Sequence, residues 1–218
     1  QKTWGYHHSP KLLATSVVFI LAMGLWTNYF NELADLPNNM QEAFEMIMRN
    51  PLGIIAVVIM APIVEELLFR GAIQGHLLRK WKHPAGAIVV SSLIFGIVHG
   101  NWVQAPFAFV TGLALGWIYY RTGSLLPGIL MHFVNNSAAV ASFLLADDPN
   151  ATMVSTYGQT GAALMAAGGM ALTIICVLFI QKKLVPQPAV WHQPAQAETI
   201  EIENNTLSSQ THSHNENI

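Results

Sequence analysis

Charged residues make up only 10% of the 218 residues and apolar residues 52%, with a positive mean hydropathy, a balance that excludes an ordinary soluble domain and points to a membrane protein. The formal net charge of -2 leaves no basic surface, so nucleic acid is not an expected partner. The single cysteine, Cys176, excludes an internal disulfide and reads as a small packing residue in the last apolar span.

Apolar stretches run over residues 12–30, 51–78, 84–99, 104–120, 124–146 and 161–180. Most match the roughly 17 to 25 residues that a helix needs to cross a bilayer, and 84–99 is the shortest. The predicted fold class is an all-α membrane protein, a bundle of about six transmembrane helices around a polar intramembrane cavity. Lys2, Lys11, Arg79, Lys80, Lys82, Arg121, Lys182 and Lys183 fall at one set of predicted ends. Glu32, Asp35, Glu42, Glu45, Asp147 and Asp148 fall at the other. Positive residues inside place both termini in the cytoplasm, with the chain multi-pass in the inner (plasma) membrane. Trp81, Trp102, Trp117, Tyr119 and Tyr120 sit at predicted span ends, where amphipathic rings favour the headgroup level.

This divides the chain into a first span, read as an uncleaved anchor, with its outer loop (1–50), a core (51–146), an outer loop with the last span (147–184) and a tail (185–218). The tail's polar amides and prolines predict a disordered cytoplasmic segment. His212 and His214 within it are too few to argue for a metal site.

The second span holds three charges in the run VEELLFR, Val64 to Arg70. At about 100° per residue, Glu66 and Arg70 lie about 40° apart on one helix face and can pair, whereas Glu65 is about 140° from Arg70. Glu65 is thus left without a partner in its own helix and available for proton exchange. Fourteen mostly apolar residues precede the pair, which sets it near mid-bilayer, where three unpartnered charges would cost on the order of 8 to 10 kcal/mol. They must face an interior cavity.

Other spans offer groups to the same cavity. FGIVH places Phe95 and His99 four apart, and HFVNN places His132 and Asn136 four apart, hence each pair on one face. Taken singly, such residues usually bond a neighbouring helix. Together, a carboxylate pair, two histidines and an asparagine resemble a reaction centre. Counted from the predicted inner ends, His99 lies about 22 Å deep and His132 about 12 Å, so a tilt or a shifted boundary is needed to bring them together.

A carboxylate beside an imidazole can deprotonate water and return the proton to a leaving amine, while a second imidazole and an amide N–H can bond the oxyanion. That is peptide hydrolysis without a covalent intermediate, and no serine or cysteine carries a nucleophile signature. Glu65, His99 and His132 would also suit a divalent metal such as zinc with an open position for water, although the H-E-x-x-H pattern is absent. The metal-free route, with no required cofactor, fits the Glu and Asn better.

EELLFR, FGIVH and HFVNN, in this order on separate spans, resemble the E-E-x-x-x-R, F-x-x-x-H and H-x-x-x-N motifs of the CAAX protease and bacteriocin-processing (CPBP) family of intramembrane proteases, which includes the type II CAAX prenyl endopeptidases. The resemblance covers residues 51–146. It implies an all-helical bundle with the active site between helices, Glu65 activating water with His99, His132 and Asn136 stabilising the oxyanion, and Glu66 and Arg70 supporting the site. The family has been described both as glutamate proteases and as metalloproteases, so either chemistry is implied. The expected activity is an endopeptidase cutting a membrane-associated protein or peptide near the cytoplasmic side. Two other classes compete with it: a non-catalytic immunity or scaffold protein of the same fold, and a proton or ion carrier.

Overall fold

The computed structural model describes residues 9–81, 83–145, 151–185, 189 and 191, and they are helical with no strand among them. Lys2, Lys82, Asp147, Asp148, His212 and His214 lie outside the described residues.

Helix starts and stops follow the local chemistry. α1 (Pro10–Ala34) begins where Ser9 Oγ accepts from the Leu12 N–H at 3.2 Å, with Pro10 supplying a helical φ in the first turn. The short helix α2 (Gln41–Met48) follows. α3 (Pro51–Lys80) repeats the first device, Asn50 Oδ1 accepting from the Leu52 N–H at 2.9 Å. α4 (Pro84–Val98) is capped by His83 Nδ1, which accepts from the Gly86 N–H at 3.0 Å. α5 (Gln104–Thr122) stops at Gly123, whose φ of 67° is one that glycine adopts at little cost. α6 (Leu126–Leu145) and α7 (Met153–Leu184) complete the bundle.

Four of these helices, α1, α3, α6 and α7, are long and apolar enough to cross a membrane. The six expected spans are not all confirmed. The fifteen residues of α4 reach only about 22 Å, short of the roughly 30 Å hydrocarbon layer. α5 carries Gln104, Thr111 and Arg121 and is instead the enclosed centre, with nine buried residues. Many large apolar side chains of the other helices face outward, Leu52, Ile97 and Leu164 among them. A bundle that shows many large hydrophobes outside and keeps Glu66, Arg70 and Gln74 inside is the arrangement lipid requires, and the chain is an all-α, multi-pass membrane protein.

Small residues let the central helices touch. A Cβ on Gly112 would lie 2.9 Å from Ser92 Cβ, and one on Gly116 would lie 2.6 Å from Gln74 Oε1. The G-x-x-x-G spacing therefore packs α5 against α4 and α3 inside the bundle. Cys176 is buried among Leu12, Phe19 and Ile180, the packing role its sequence context suggests.

The basic helix ends gather on one side. Arg121 Nη2 donates to Gln181 O at 3.0 Å, joining the ends of α5 and α7. Of the segment expected to be a disordered tail, residues 189 and 191 are packed: Ala189 is buried, and the Trp191 indole stacks edge-on against Tyr119 at 4.8 Å and donates to Tyr120 O at 2.8 Å. An aromatic with one polar handle fits here, its ring packed on Tyr119 and its N–H spent on a carbonyl in the last turn of α5.

Candidate active site

The site begins with an irregularity in α3. Wider, π-type turns occupy Ala56–Met60 and Glu66–Gln74, on either side of Glu65. Such turns stretch the backbone ladder and leave carbonyls open to other donors. Two are taken from neighbouring helices: Asn136 Nδ2 of α6 donates to Val57 O at 2.9 Å, and Ser91 Oγ of α4 donates to Phe69 O at 2.9 Å. Pro62 lies between the two segments and suggests, from sequence, a loosened ladder near Glu65.

Below Glu65 lies a sealed polar cluster. Glu66 and Arg70 are 0% and 1% exposed, and Arg70 Nη1 donates to Glu66 Oε1 at 2.8 Å. Arg70 Nη2 reaches Gly112 O at 3.2 Å, and the guanidinium carbon stands 4.4 Å from the centre of the Phe95 ring, so the cation has partners on three sides. Gln74, one turn further, donates to Gly116 O at 2.8 Å. The i, i+4 pairing of Glu66 with Arg70 is as the sequence predicts.

His132 links this cluster to the space above. Its Nδ1 lies 3.1 Å from Glu66 Oε1, and its Nε2 lies 3.7 Å from Glu65 Oε2. Because a carboxylate oxygen accepts, Nδ1 carries the proton and Nε2 is turned toward Glu65. His99, which ends α4, lies with Nδ1 2.7 Å from Phe95 O. That carbonyl also only accepts, so His99 Nε2 presents a lone pair. Phe95 separates the two imidazoles, with centroid distances of 4.8 Å to His99 and 5.8 Å to His132, both edge-on.

Glu65, His99, His132 and Asn136 line one cavity of about 230 Å³, together with Phe44 and Met48 of α2 and Thr111 of α5. Four residues from three helices are brought together as the spacing suggests. Glu65 differs from its neighbour in exposure, its side chain being 29% accessible against 1% for Glu66. The depth mismatch between His99 and His132 is removed by a sunken helix start. Thr122, Ser124 and Leu125 are buried, and Leu125 meets Gly71 while Gly128 meets the Glu66 carboxylate. α6 therefore begins about 13 Å inside the basic end of α3, and His132 lies about 10 Å deeper still.

Two other expectations change. The cavity is walled by α2, by the end of α4 and by the start of α5, so it lies toward the acid-rich ends rather than the basic ones. Asn135, whose direction the helical spacing leaves open, also lines the cavity and donates to Asn136 Oδ1 at 3.3 Å. Thr111 was missed in the sequence, where GLALG beside it reads as packing. As for a metal, no group of three His, Cys, Asp or Glu side chains among the described residues is placed to hold an ion. The set Glu65, His99 and His132 does not fit one in this arrangement, with the Phe95 ring against both imidazoles.

Residues 48–138 match the family model described as "Type II CAAX prenyl endopeptidase Rce1-like", a segment that contains all seven motif residues. YdiL of Bacillus subtilis (strain 168), whose name marks it as a candidate membrane peptidase, is 33% identical over 102 residues, which cover 47% of this chain and 41% of that protein. The membrane-embedded CAAX protease MroQ of Staphylococcus aureus (strain USA300) is 30% identical over 112 residues, 49% of this chain and 45% of that protein. The chain thus matches less than half the length of either relative, and no solved structure matches it. Over its central segment, the chain is similar to the Rce1-like CAAX proteases, the resemblance that its three motifs carry.

Proposed function

We propose that this protein is an intramembrane endopeptidase that hydrolyses a peptide bond in a membrane-associated protein or peptide by a glutamate-activated water. The observation that carries the reading is the convergence of Glu65, His99, His132 and Asn136 on one cavity, with Glu65 beside His132 and unpaired within its own helix. Glu65 takes a proton from water while the water oxygen bonds to the scissile carbonyl carbon and the π electrons move onto the carbonyl oxygen. His99 Nε2, an acceptor by its bond to Phe95, holds the second water proton. His132, when Nε2 is protonated, and the second N–H of Asn136 donate to the oxyanion. Collapse breaks the C–N bond, and the proton held by Glu65 passes to the leaving amine. Glu66 and Arg70 hold His132 rather than react.

With the basic helix ends in the cytoplasm of a plasma-membrane protein, the cut falls in the half of the bilayer nearer the acid-rich loops. The similarity to proteins named as CAAX protease and membrane peptidase supports the class of reaction. The test compares membrane peptides from cells making wild type or Glu65→Gln at equal levels. A product confined to wild type is expected. Identical profiles, in cells where deletion still has an effect, would reject the protease reading in favour of binding.

A further inference from the structure

Among the described residues, the buried serine and threonine hydroxyls of this bundle follow a rule with one exception. Ser16, Thr27, Ser92 and Thr122 each donate to the carbonyl four residues earlier at 2.7 to 2.8 Å, the usual way a helix satisfies such a group in lipid. Ser91 donates to Phe69 O, and Ser124 accepts from the Leu126 N–H. Thr111 is 2% exposed, and its Oγ1 has no hydrogen-bond partner among the described residues. It lines the same cavity as Glu65, His99 and His132. Its position is fixed, because Gly112 beside it gives its carbonyl to Arg70 and lies against Ser92.

A buried hydroxyl that leaves its own backbone unbonded loses about a hydrogen bond's worth of free energy unless something in the cavity receives it. The same cavity holds a counterpart: Glu65 Oε2 is also a buried atom without a hydrogen-bond partner. A water held between them would satisfy both, donating to Glu65 and accepting from Thr111. Its second proton goes to a histidine Nε2, and its remaining lone pair is free for the carbonyl carbon. We infer that Thr111 is a further catalytic residue, whose hydroxyl donates to the nucleophilic water and aligns it against Glu65. The proton abstracted by Glu65 comes from the water, and Thr111 keeps its own throughout. This rests on the protease reading.

The test uses the full chain in liposomes and the substrate that wild type cuts and Glu65→Gln does not. Thr111→Val keeps the shape and removes the hydroxyl. It is expected to lower kcat about 100-fold, as loss of one preorganised donor does elsewhere, with KM within about twofold of wild type and an unchanged melting temperature. Thr111→Ser should restore most of kcat. Should the valine variant not fold, Thr111→Ala against Thr111→Ser isolates the hydroxyl, since both lack the methyl. A wild-type kcat for Thr111→Val, or a rise in KM alone, overturns the assignment while leaving the protease reading intact. No product from wild type overturns both.

Discussion

Glu65 and Glu66 are adjacent in sequence, yet they belong to two regions with opposite properties. Glu66 lies in a closed cluster in which Arg70, His132 and the Phe95 face use up the charges. Glu65, one residue away, borders a cavity and has only a 3.7 Å approach from His132. The closed region holds a cation and an anion where lipid would otherwise exclude them, and its energetic consequence is conformational. The open region keeps a carboxylate available to a guest. His132 touches both, so the static cluster sets the orientation of a ring that faces the reactive space. On the proposed mechanism, function depends on one glutamate being bound to Arg70 and His132 so that the next is left to the cavity.

The comparison is broken most severely at Glu65. Glu65→Gln keeps the size and removes the base, and product formation should fall by about 10³-fold or more, since a positioned acid–base group contributes about 10² to 10⁴. Melting temperature should be unchanged, because the side chain makes no hydrogen bond at Oε2 for folding to lose. Loss of folding together with activity would place Glu65 in the closed region instead.

Arg70→Met attacks the other region. It leaves Glu66 buried at 0% exposure beside His132 without its cation, a change that costs about 3 to 5 kcal/mol in buried pairs. The double variant Glu66→Met with Arg70→Met should regain much of that stability, because an apolar pair has no charge to desolvate. Activity should stay low in the double variant, for His132 then lacks the acceptor at Nδ1. Thermal unfolding in detergent and turnover, measured on all three variants, separate support of the fold from orientation of the ring.

A subtler change couples the two regions. Gly128 comes so close to Glu66 that a Cβ there would lie 3.0 Å from Oε2. Gly128→Ala must push the carboxylate or α6 by a few tenths of an ångström, and His132 is bonded to the other oxygen of that carboxylate. A loss of about tenfold in kcat is expected with folding retained, given that small misplacements of reacting groups are costly. Wild-type kcat would mean that the ring orientation tolerates movement of Glu66.

Much of this division was legible in the sequence. The i, i+4 relation predicts the Glu66–Arg70 pair and sets Glu65 apart, because helical geometry survives even in the widened turns of α3. Cavity membership of His99, His132 and Asn136 follows from the same periodicity plus the cost of intramembrane polar groups. The depth of α6 was not legible: nothing in SLLPG marks Ser124 and Leu125 as buried below the membrane surface rather than at it, since that depends on what packs over them. The number of spans is left unconfirmed for a related reason. Hydropathy registers α5 as one more apolar stretch, while its position as the enclosed centre is a tertiary property. Thr111 was hidden because an orphaned hydroxyl is a fact about neighbours, and composition alone cannot separate it from Ser92 or Thr122.

The smallest effect is expected at the basic end, far from the cavity. Trp191 covers Tyr119 and donates to Tyr120 O, in a cluster that also holds Leu78 and Leu125. Trp191→Ala removes one aromatic contact, worth about 0.5 to 1.5 kcal/mol beyond its area, and one partly exposed hydrogen bond worth about 1 kcal/mol. Melting should shift by only a few degrees. Turnover has no direct reason to change, because the contact is made on α5 beyond Gly116, on the far side of the closed cluster from Glu65. Yet Leu125 opens α6, the helix that carries His132, so the packing that sets the depth of that helix passes through this cluster. If Trp191→Ala lowers kcat at temperatures where the protein is fully folded, the closed region extends to the basic end, and the depth of α6 is held from there as well as by Gly71 and Glu66.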